Sequence, residues 1–136
     1  MPTDSHQLAR AVARLNRRLR QERQSDLTPT QMSVLGSISI LGSSTPGAIA
    51  AHERVQPPSI TRTLACLLDE GMVVRAPHPD DGRQVLISVS EQGEAVLAAE
   101  RDRRDLWLSQ GLDEMNVDER RTLKEAAALL ERLAAR

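Results

Sequence analysis

The feature that most constrains the fold is a change in the spacing of apolar residues at Gly71. Before it, apolar side chains recur at the spacing of a helix face: Ile60, Leu64, Leu67 and Leu68. After it, they recur at every second position, as on a half-buried strand: Val85, Ile87 and Val89. An earlier strand holds Val73 and Arg75, and the segment 79–82 supplies a Pro-Asp-Asp-Gly turn. A helix closed by Gly71 is therefore followed directly by a β-hairpin.

Four helices are predicted before the hairpin. The first has an apolar stripe and is expected to end near Ser25: Leu8, Ala11, Val12, Leu15 and Leu19. The second begins with a hydroxyl at the N-cap, proline at the first position and glutamine at the third, in Thr28-Pro29-Thr30-Gln31. Its inward side chains are Met32, Leu35 and Ile38. Thr45-Pro46 begins a short third helix, and Pro57-Pro58 begins the fourth.

Two further helices are predicted after the hairpin. Ser90 is expected to cap a long helix that runs to about Leu112. Asn116-Val117-Asp118-Glu119 resembles a capping box, and the last helix has a buried face of Leu123, Ala127, Leu130 and Ala134. The expected fold is mainly α with a small β-hairpin wing, in one domain spanning 1–136 without repeats or linkers.

Helix, tight turn, helix and hairpin is the element order of a winged helix-turn-helix, here centred on Val55 to Ser90. Ile49, Val55 and Ile60 are spaced to pack its two helices together, and Ala50 allows a close crossing. The second helix of such a unit enters the major groove of DNA. Its candidate DNA-binding residues are Gln56, Pro57, Pro58, Ser59, Thr61, Arg62 and Thr63. The alternative is an ordinary amphipathic helix with a solvated polar face.

The amino-acid composition limits which kind of nucleic acid the chain could bind. Phe and Tyr are absent and Trp107 is the only aromatic residue, which excludes folds that stack single-stranded bases on aromatic rings. The net charge is −1, so DNA contacts must come from local arrangement. All basic residues except Lys124 are Arg, whose planar fork suits phosphate and guanine edges. A nucleotide-composition bias toward Arg codons explains this equally well.

Other functions find little support in the sequence. Cys66 is the only cysteine, so an intrachain disulfide is excluded, and we expect it to be a small, partly buried filler. His6, His52 and His78 lack metal-ligand spacing, so no metal site, cofactor or enzymatic activity is predicted. No apolar run could cross a membrane and the N-terminus lacks a secretion signal, which predicts a cytoplasmic protein. The Arg-rich N-terminus has some transit-peptide character, but its regular apolar stripe favours a packed helix.

The hairpin carries a resemblance to a known family. Asp81-Gly82-Arg83, then alternating apolar residues, then Ser90 opening a helix, resembles the wing signature of the multiple antibiotic resistance regulator (MarR) family. The resemblance covers nearly the whole chain. It includes Leu27-Thr28-Pro29-Thr30-Gln31, Pro58-Ser59-Ile60-Thr61-Arg62, the Leu67, Gly71 and Val73 run, and Ser90-Glu91-Gln92-Gly93.

The resemblance implies a transcriptional repressor that binds a palindromic double-stranded DNA operator as a homodimer. Segments 1–25 and 91–136 would form the dimer, and 28–90 the DNA-binding lobe. Arg83 would lie at the wing tip against the minor groove, where negative potential is concentrated, and Asp81 would orient it. The alternative is that Asp81 and Arg83 form only a turn-stabilising ion pair. Family likeness also implies a small anionic or aromatic effector between the lobes and the dimer helices.

The sequence departs from the pattern in two places. Helix-turn-helix units commonly have a large apolar residue and then glycine before the turn, where this chain has Glu53 and Arg54. Arg54 could contact a phosphate, distort the turn or lie in solvent. The wing has only Arg75, His78 and Arg83 as candidate cations, which predicts weak or salt-sensitive binding.

Two regulatory alternatives follow from the same residues. Peroxide-sensing relatives have a cysteine near the first helix; this chain has none there, so thiol sensing is not expected. The near-neutral charge supports a rival function, a dimeric helical module that binds protein instead of DNA. Operator sequence, repression versus activation and effector identity are not encoded in any motif.

Overall fold

The computed structural model describes residues 4–136. In this part of the chain the helices and strands are α1 (Asp4–Gln21), α2 (Pro29–Leu41), α3 (Pro46–Glu53), α4 (Pro57–Asp69), β1 (Val73–Pro77), β2 (Val85–Val89), α5 (Glu91–Asp113) and α6 (Val117–Ala134). The two strands pair as an antiparallel hairpin. The predicted fold, mainly helical with a small hairpin after a helix-turn-helix, is confirmed.

Polar side chains begin four of the helices as the sequence predicts. Thr28 and Gln31 form a reciprocal capping box, in which each side chain accepts a hydrogen bond from the other residue's backbone N–H. Asn116 and Glu119 do the same at α6. The side chains of Thr45 and Ser90 cap α3 and α5. These bonds satisfy N–H groups that have no partner within their own helices.

The prediction that α1 ends near Ser25 is wrong, since the helix ends at Gln21. The backbone N–H groups of Gln24 and Ser25 donate to the Glu100 carboxylate, at 3.2 and 3.1 Å. Those hydrogen bonds replace the ones that another helical turn would provide. A residue of α5 therefore decides how the segment after α1 runs.

The core lies between α2, α3, α4 and the hairpin. Its fully buried large side chains are Leu35, Ile38, Ile49, Ile60, Leu67 and Ile87. Ile49 and Ile60 join α3 to α4 as predicted, with Ala50 buried beside them. Val55, expected to share this contact, is 43% exposed, so that prediction is wrong. Val55 lies in the turn, where its N–H donates to the Ala50 carbonyl and its side chain faces outward.

The hairpin is extended by one residue from the segment after α2. Its register pairs Val73 with Val89 and Arg75 with Ile87. On the other edge of β2, Ser44 exchanges two backbone hydrogen bonds with Ile87, at 3.0 and 2.8 Å. This bridge holds the hairpin against the start of α3. A single bridging residue leaves no alternating pattern, so this bridge has no signal in the sequence.

The junction between hairpin and α5 is tightly packed. Ser90 Oγ donates to the Gly71 carbonyl at 2.6 Å and accepts from the Gly93 N–H at 3.0 Å. Gly93 is buried, and a Cβ there would overlap the Met72 carbonyl oxygen. Only glycine allows the helix this close to the strand.

Helices α1 and α6 bury no residue within the single chain. The predicted buried face of α6 is therefore not buried within the single chain: Leu123 is 45% exposed and Leu130 is 40% exposed. The apolar stripe of α1 is similarly exposed at Leu8, Val12 and Leu15. Within residues 4–136, no helix combines the length and apolar character that crossing a membrane requires.

Candidate nucleic-acid interface

Helix α4 has one face in the core and one face free. Ile60, Leu64 and Leu67 are buried against the neighbouring helices and the hairpin. The opposite side and the N-terminal end hold the predicted DNA-binding residues: Gln56, Pro57, Pro58, Ser59, Thr61 and Arg62 are exposed, and Thr63 is half-buried. The structure thus brings all seven to the N-cap and N-terminal half of one helix. Whether they touch DNA stays a prediction.

The polar groups of this end differ in what they can still donate. Thr61 Oγ1 donates to the Pro57 carbonyl at 3.2 Å, and Thr63 Oγ1 donates to the Ser59 carbonyl at 3.1 Å. Each hydroxyl proton is thereby used inside the helix, and each oxygen remains an acceptor. The Arg62 guanidinium forms no ion pair or hydrogen bond with any other residue of the described chain. Arg62 is therefore the strongest donor that this face offers.

The turn between α3 and α4 is held by a polar network that the sequence analysis missed. Glu53 accepts hydrogen bonds from Ser33 Oγ and Ser37 Oγ of α2, both at 2.9 Å. Ser37 Oγ also lies 2.9 Å from His52 Nδ1. A carboxylate with two hydroxyl donors thus replaces the usual apolar contact before the turn. Two serines spaced one helical turn apart on α2 were the available signal.

Arg54 adopts the backbone conformation that glycine usually supplies. Its φ and ψ are 58° and 43°, and its N–H donates to carbonyl groups of the last turn of α3. Such a left-handed conformation costs a non-glycine residue roughly 1–2 kcal/mol. Its guanidinium is exposed, with Nη2 3.4 Å from the carbonyl oxygen of Arg136. The turn keeps its shape, and contact between Arg54 and a phosphate stays a prediction.

At the wing tip, Asp81 binds backbone and not the Arg83 guanidinium. Oδ1 accepts the Arg83 N–H at 3.1 Å, and Oδ2 accepts from Gln84 Nε2 at 3.3 Å. The alternative reading, an ion pair between Asp81 and Arg83, does not form within residues 4–136. The Arg83 side chain is exposed. Asp81 therefore fixes the backbone from which Arg83 extends.

His78 is part of the same turn, although its sequence suggested only a cation. Its Nδ1 accepts hydrogen bonds from the backbone N–H groups of Asp80 and Asp81, both at 3.1 Å. An acceptor followed by N–H donors two and three residues later is the pattern of an Asx turn, and that pattern was the missed signal.

Cys66 is exposed on α4, so the prediction of a partly buried filler is wrong. It is two residues from the buried Leu64, which places it on the other side of the helix. Among residues 4–136, no group of three or more His, Cys, Asp or Glu side chains is arranged to hold a metal ion.

A second candidate site is a cleft of about 380 Å³ between α1, α2 and α5. Its charged lining is mostly basic: Arg20, Arg23, Arg101 and Arg104, with Glu22 and Glu100. Both carboxylates have partners, since Glu22 pairs with Arg18 at 2.7 Å and Glu100 with Arg103 at 2.6 Å. Arg23 Nη1 is buried with no hydrogen-bond partner in the described chain. The cleft therefore has more unpaired positive than negative groups.

Known proteins resemble the chain over nearly its full length. The MarR family model matches residues 27–85. An uncharacterised HTH-type transcriptional regulator of Mycobacterium bovis is 48% identical over 124 residues, which are 90% of this chain and 87% of that protein. The crystal structure of a proposed transcriptional regulator from Pseudomonas aeruginosa matches with a TM-score of 0.86 and 34% identity, over 98% of both chains.

A mutant of MarR from E. coli, solved in complex with operator DNA, matches with a TM-score of 0.65 and 28% identity, over 90% of this chain and 92% of that one. Its fold is the winged helix-turn-helix arrangement described above. Members of this family are regulators of transcription and not enzymes, which agrees with the prediction of no enzymatic activity. On its fold, its wing and its 48% identical relative, the chain belongs to the MarR family of HTH-type transcriptional regulators.

Proposed function

We propose that the chain is a repressor that binds a palindromic double-stranded DNA operator as a homodimer. In this proposal α4 enters the major groove and Arg83 lies at the minor groove. The carrying observation is the free end of α4, where Arg62 is exposed and unpaired among the described residues beside Ser59. The operator complex of E. coli MarR, a relative of the same fold, supports the same mode of binding here.

The exposed apolar faces of α1 and α6 support the homodimer. Exposed apolar surface of this extent marks a binding surface, and a second copy supplies a matching face. Two copies related by a twofold axis would present two copies of α4, which matches an operator with two half-sites about one helical turn apart. Operator binding requires access to the chromosome, which agrees with the cytoplasmic location predicted from the sequence.

Selection of binding sites from random duplex DNA is the direct test. We expect a palindrome to be enriched. On the selected duplex, Arg62→Ala and Arg83→Ala should each weaken binding by about 1–3 kcal/mol if they contact bases, or less for a phosphate contact. Arg14→Ala is the matched control, since it removes the same charge from an exposed position on α1.

Two results would count against this proposal. Unchanged binding by both arginine variants would remove the assigned role of α4 and the wing. Failure to enrich any duplex would favour the rival function, a dimeric module that binds protein. A reporter driven by the selected operator tests the direction of control: repression predicts higher output when the regulator is deleted.

We also propose that the cleft between α1, α2 and α5 binds a small anionic effector that releases the operator. The unpaired Arg23 Nη1 and the excess of arginines support an anion, and no aromatic residue lines the cleft. Benzoate should weaken the operator complex, and its neutral analogue benzamide should not. Arg23→Gln should abolish the benzoate effect while the unliganded protein still binds DNA. An equal effect of both probes would contradict an anion site.

A further inference from the structure

We propose that His78, in its neutral form, is the residue that positions Arg83 at the wing tip. The inference rests on the proposed operator binding, in which Arg83 contacts DNA. It assigns His78 a role opposite to that of a simple cation. If His78 acted as a cation on the wing, its protonation would strengthen DNA binding. If it acts as a hydrogen-bond acceptor in the turn, its protonation removes the acceptor and should weaken DNA binding.

The two hydrogen bonds to His78 determine which ring nitrogen carries the proton. Both partners of Nδ1 are backbone N–H groups, of Asp80 and Asp81, and a backbone N–H can only donate. Nδ1 must therefore be the acceptor, with its one lone pair shared between the two donors at 3.1 Å each. The ring proton is then on Nε2. This tautomer follows from the geometry alone.

A chain of contacts connects this nitrogen to Arg83. The Asp81 N–H is bound to His78, and the Asp81 carboxylate accepts the Arg83 N–H. The Gln84 N–H donates to the Asp81 carbonyl at 3.0 Å, and the His78 N–H donates to the Gln84 carbonyl at 3.2 Å. The turn is closed by these two bonds, one between Gln84 and Asp81 and one between His78 and Gln84. Arg83 extends from the segment that they hold in place.

Protonation of Nδ1 would remove both bonds at once, because the nitrogen becomes a donor. The other charged groups of the wing are Asp80 and Asp81 in the turn, Arg83 at its tip and Arg75 on β1. None of them forms an ion pair with another residue of the described chain. A protonated ring would instead attract the two aspartates, and Asp81 would leave the Arg83 N–H. Acidification should therefore weaken operator binding through the wing.

Two substitutions separate the acceptor from the charge. In His78→Asn, the side-chain oxygen can occupy the place of Nδ1 and accept the same N–H groups, as in an Asx turn, but it does not titrate. In His78→Ala the acceptor is lost. At about pH 8, His78→Asn should bind the operator as wild type does. His78→Ala should bind roughly three- to tenfold more weakly, the effect expected when one or two hydrogen bonds are lost.

The pH profile supplies a readout that general destabilisation would not move. As the pH is lowered from about 8, wild-type affinity should fall relative to that of His78→Asn. In an Arg83→Ala background, His78→Ala should have little further effect, because His78 acts through Arg83. The proposal is overturned if His78→Asn is as weak as His78→Ala, or if wild-type affinity rises on acidification relative to His78→Asn.

NMR of the free protein tests the hydrogen bonds without DNA. Long-range ¹H–¹⁵N spectra should show the His78 ring protonated on Nε2 at neutral pH. The amide signals of Asp80 and Asp81 should shift on acidification in wild type but much less in His78→Asn. An Nδ1-protonated ring would overturn the proposal even if the protein binds its operator. Conversely, absence of operator binding by every variant would defeat the proposed function, while these spectra would still decide the role of His78.

Discussion

Glu100 is the carboxylate on which the segment after α1 depends. Its side chain is 10% exposed and accepts hydrogen bonds from Arg103 Nη2 and from two backbone N–H groups, of Gln24 and Ser25. Burial raises the pKa of this carboxyl, but the hydrogen bonds from Arg103 and the two backbone groups lower it by more. The pKa of Glu100 therefore lies below its usual value of 4.5.

A lowered pKa makes this carboxylate a source of stability above its unfolded pKa. We expect Glu100→Gln to destabilise the protein by about 1–2 kcal/mol at neutral pH, since charge-assisted hydrogen bonds are lost. The difference should persist down to about pH 4.5 and disappear as the pH falls through the lower folded value, where the wild-type group also becomes neutral. Urea unfolding of both proteins between about pH 7 and 3 measures this. A difference that stays constant with pH would contradict the account.

Residues differ in how far their surroundings can be inferred from sequence. The capping box of Thr28 and Gln31 was predictable because its partners are three positions apart. The end of α1 was not, because the group that binds Ser25 is 75 positions away. Cys66 was misplaced for another reason. The general preference of cysteine for interiors was given more weight than its position opposite Leu64 on the helix.

The junction of the hairpin with α5 leaves no room for a side chain at Gly93. A Cβ on Gly93 would overlap the Met72 carbonyl oxygen and lie 2.7 Å from Val89 Cγ1. The resemblance included Gly93 in its motif, but the need for glycine there became evident only from the packing. The alternation of apolar residues and the helix-capping motifs each indicate the structure of a single element. They do not indicate how closely two elements pack.

Gly93→Ala should therefore destabilise the fold, by about 1–3 kcal/mol or more, because the obstacle includes backbone. Gly111→Ala is the matched control. It lies in the same helix with nothing within 4 Å of an added Cβ, and alanine there should be neutral or stabilising by up to about 1 kcal/mol. Thermal or urea unfolding distinguishes the two. Equal effects of both substitutions would show that helix propensity, and not the contact with Met72 and Val89, determines the result.

For the whole molecule, the main feature is that α1 and α6 keep apolar faces that the rest of the described chain does not cover. Apolar side chains remain exposed along both: Leu8, Val12 and Leu15 on α1, and Leu123, Leu129, Leu130 and Leu133 on α6. Their helical spacing indicates faces that we expect a partner to cover. It did not indicate whether that partner is the same chain or another, because the spacing is identical in either case.

A charge on this surface should separate the proposed homodimer. We expect Leu130→Glu to shift the protein from dimer to monomer, measured by sedimentation or light scattering, and to weaken operator binding at least tenfold, since the two half-sites are no longer bound together. Ala128→Glu adds the same charge on the opposite side of α6 and should remain dimeric. A wild-type protein that is monomeric at micromolar concentration would contradict the proposed assembly.

Helix α5 is an uninterrupted element of 23 residues between the wing and α6. It is about 34 Å long, since an α-helix rises roughly 1.5 Å per residue. Fixed to the hairpin through Ser90 and Gly93, it acts as a lever arm: a tilt of about 5° at its far end moves the wing by about 3 Å. The arginine-lined cleft borders the middle of this arm at Arg101 and Arg104. In the proposed homodimer, small angular changes there would move both wings relative to the DNA grooves.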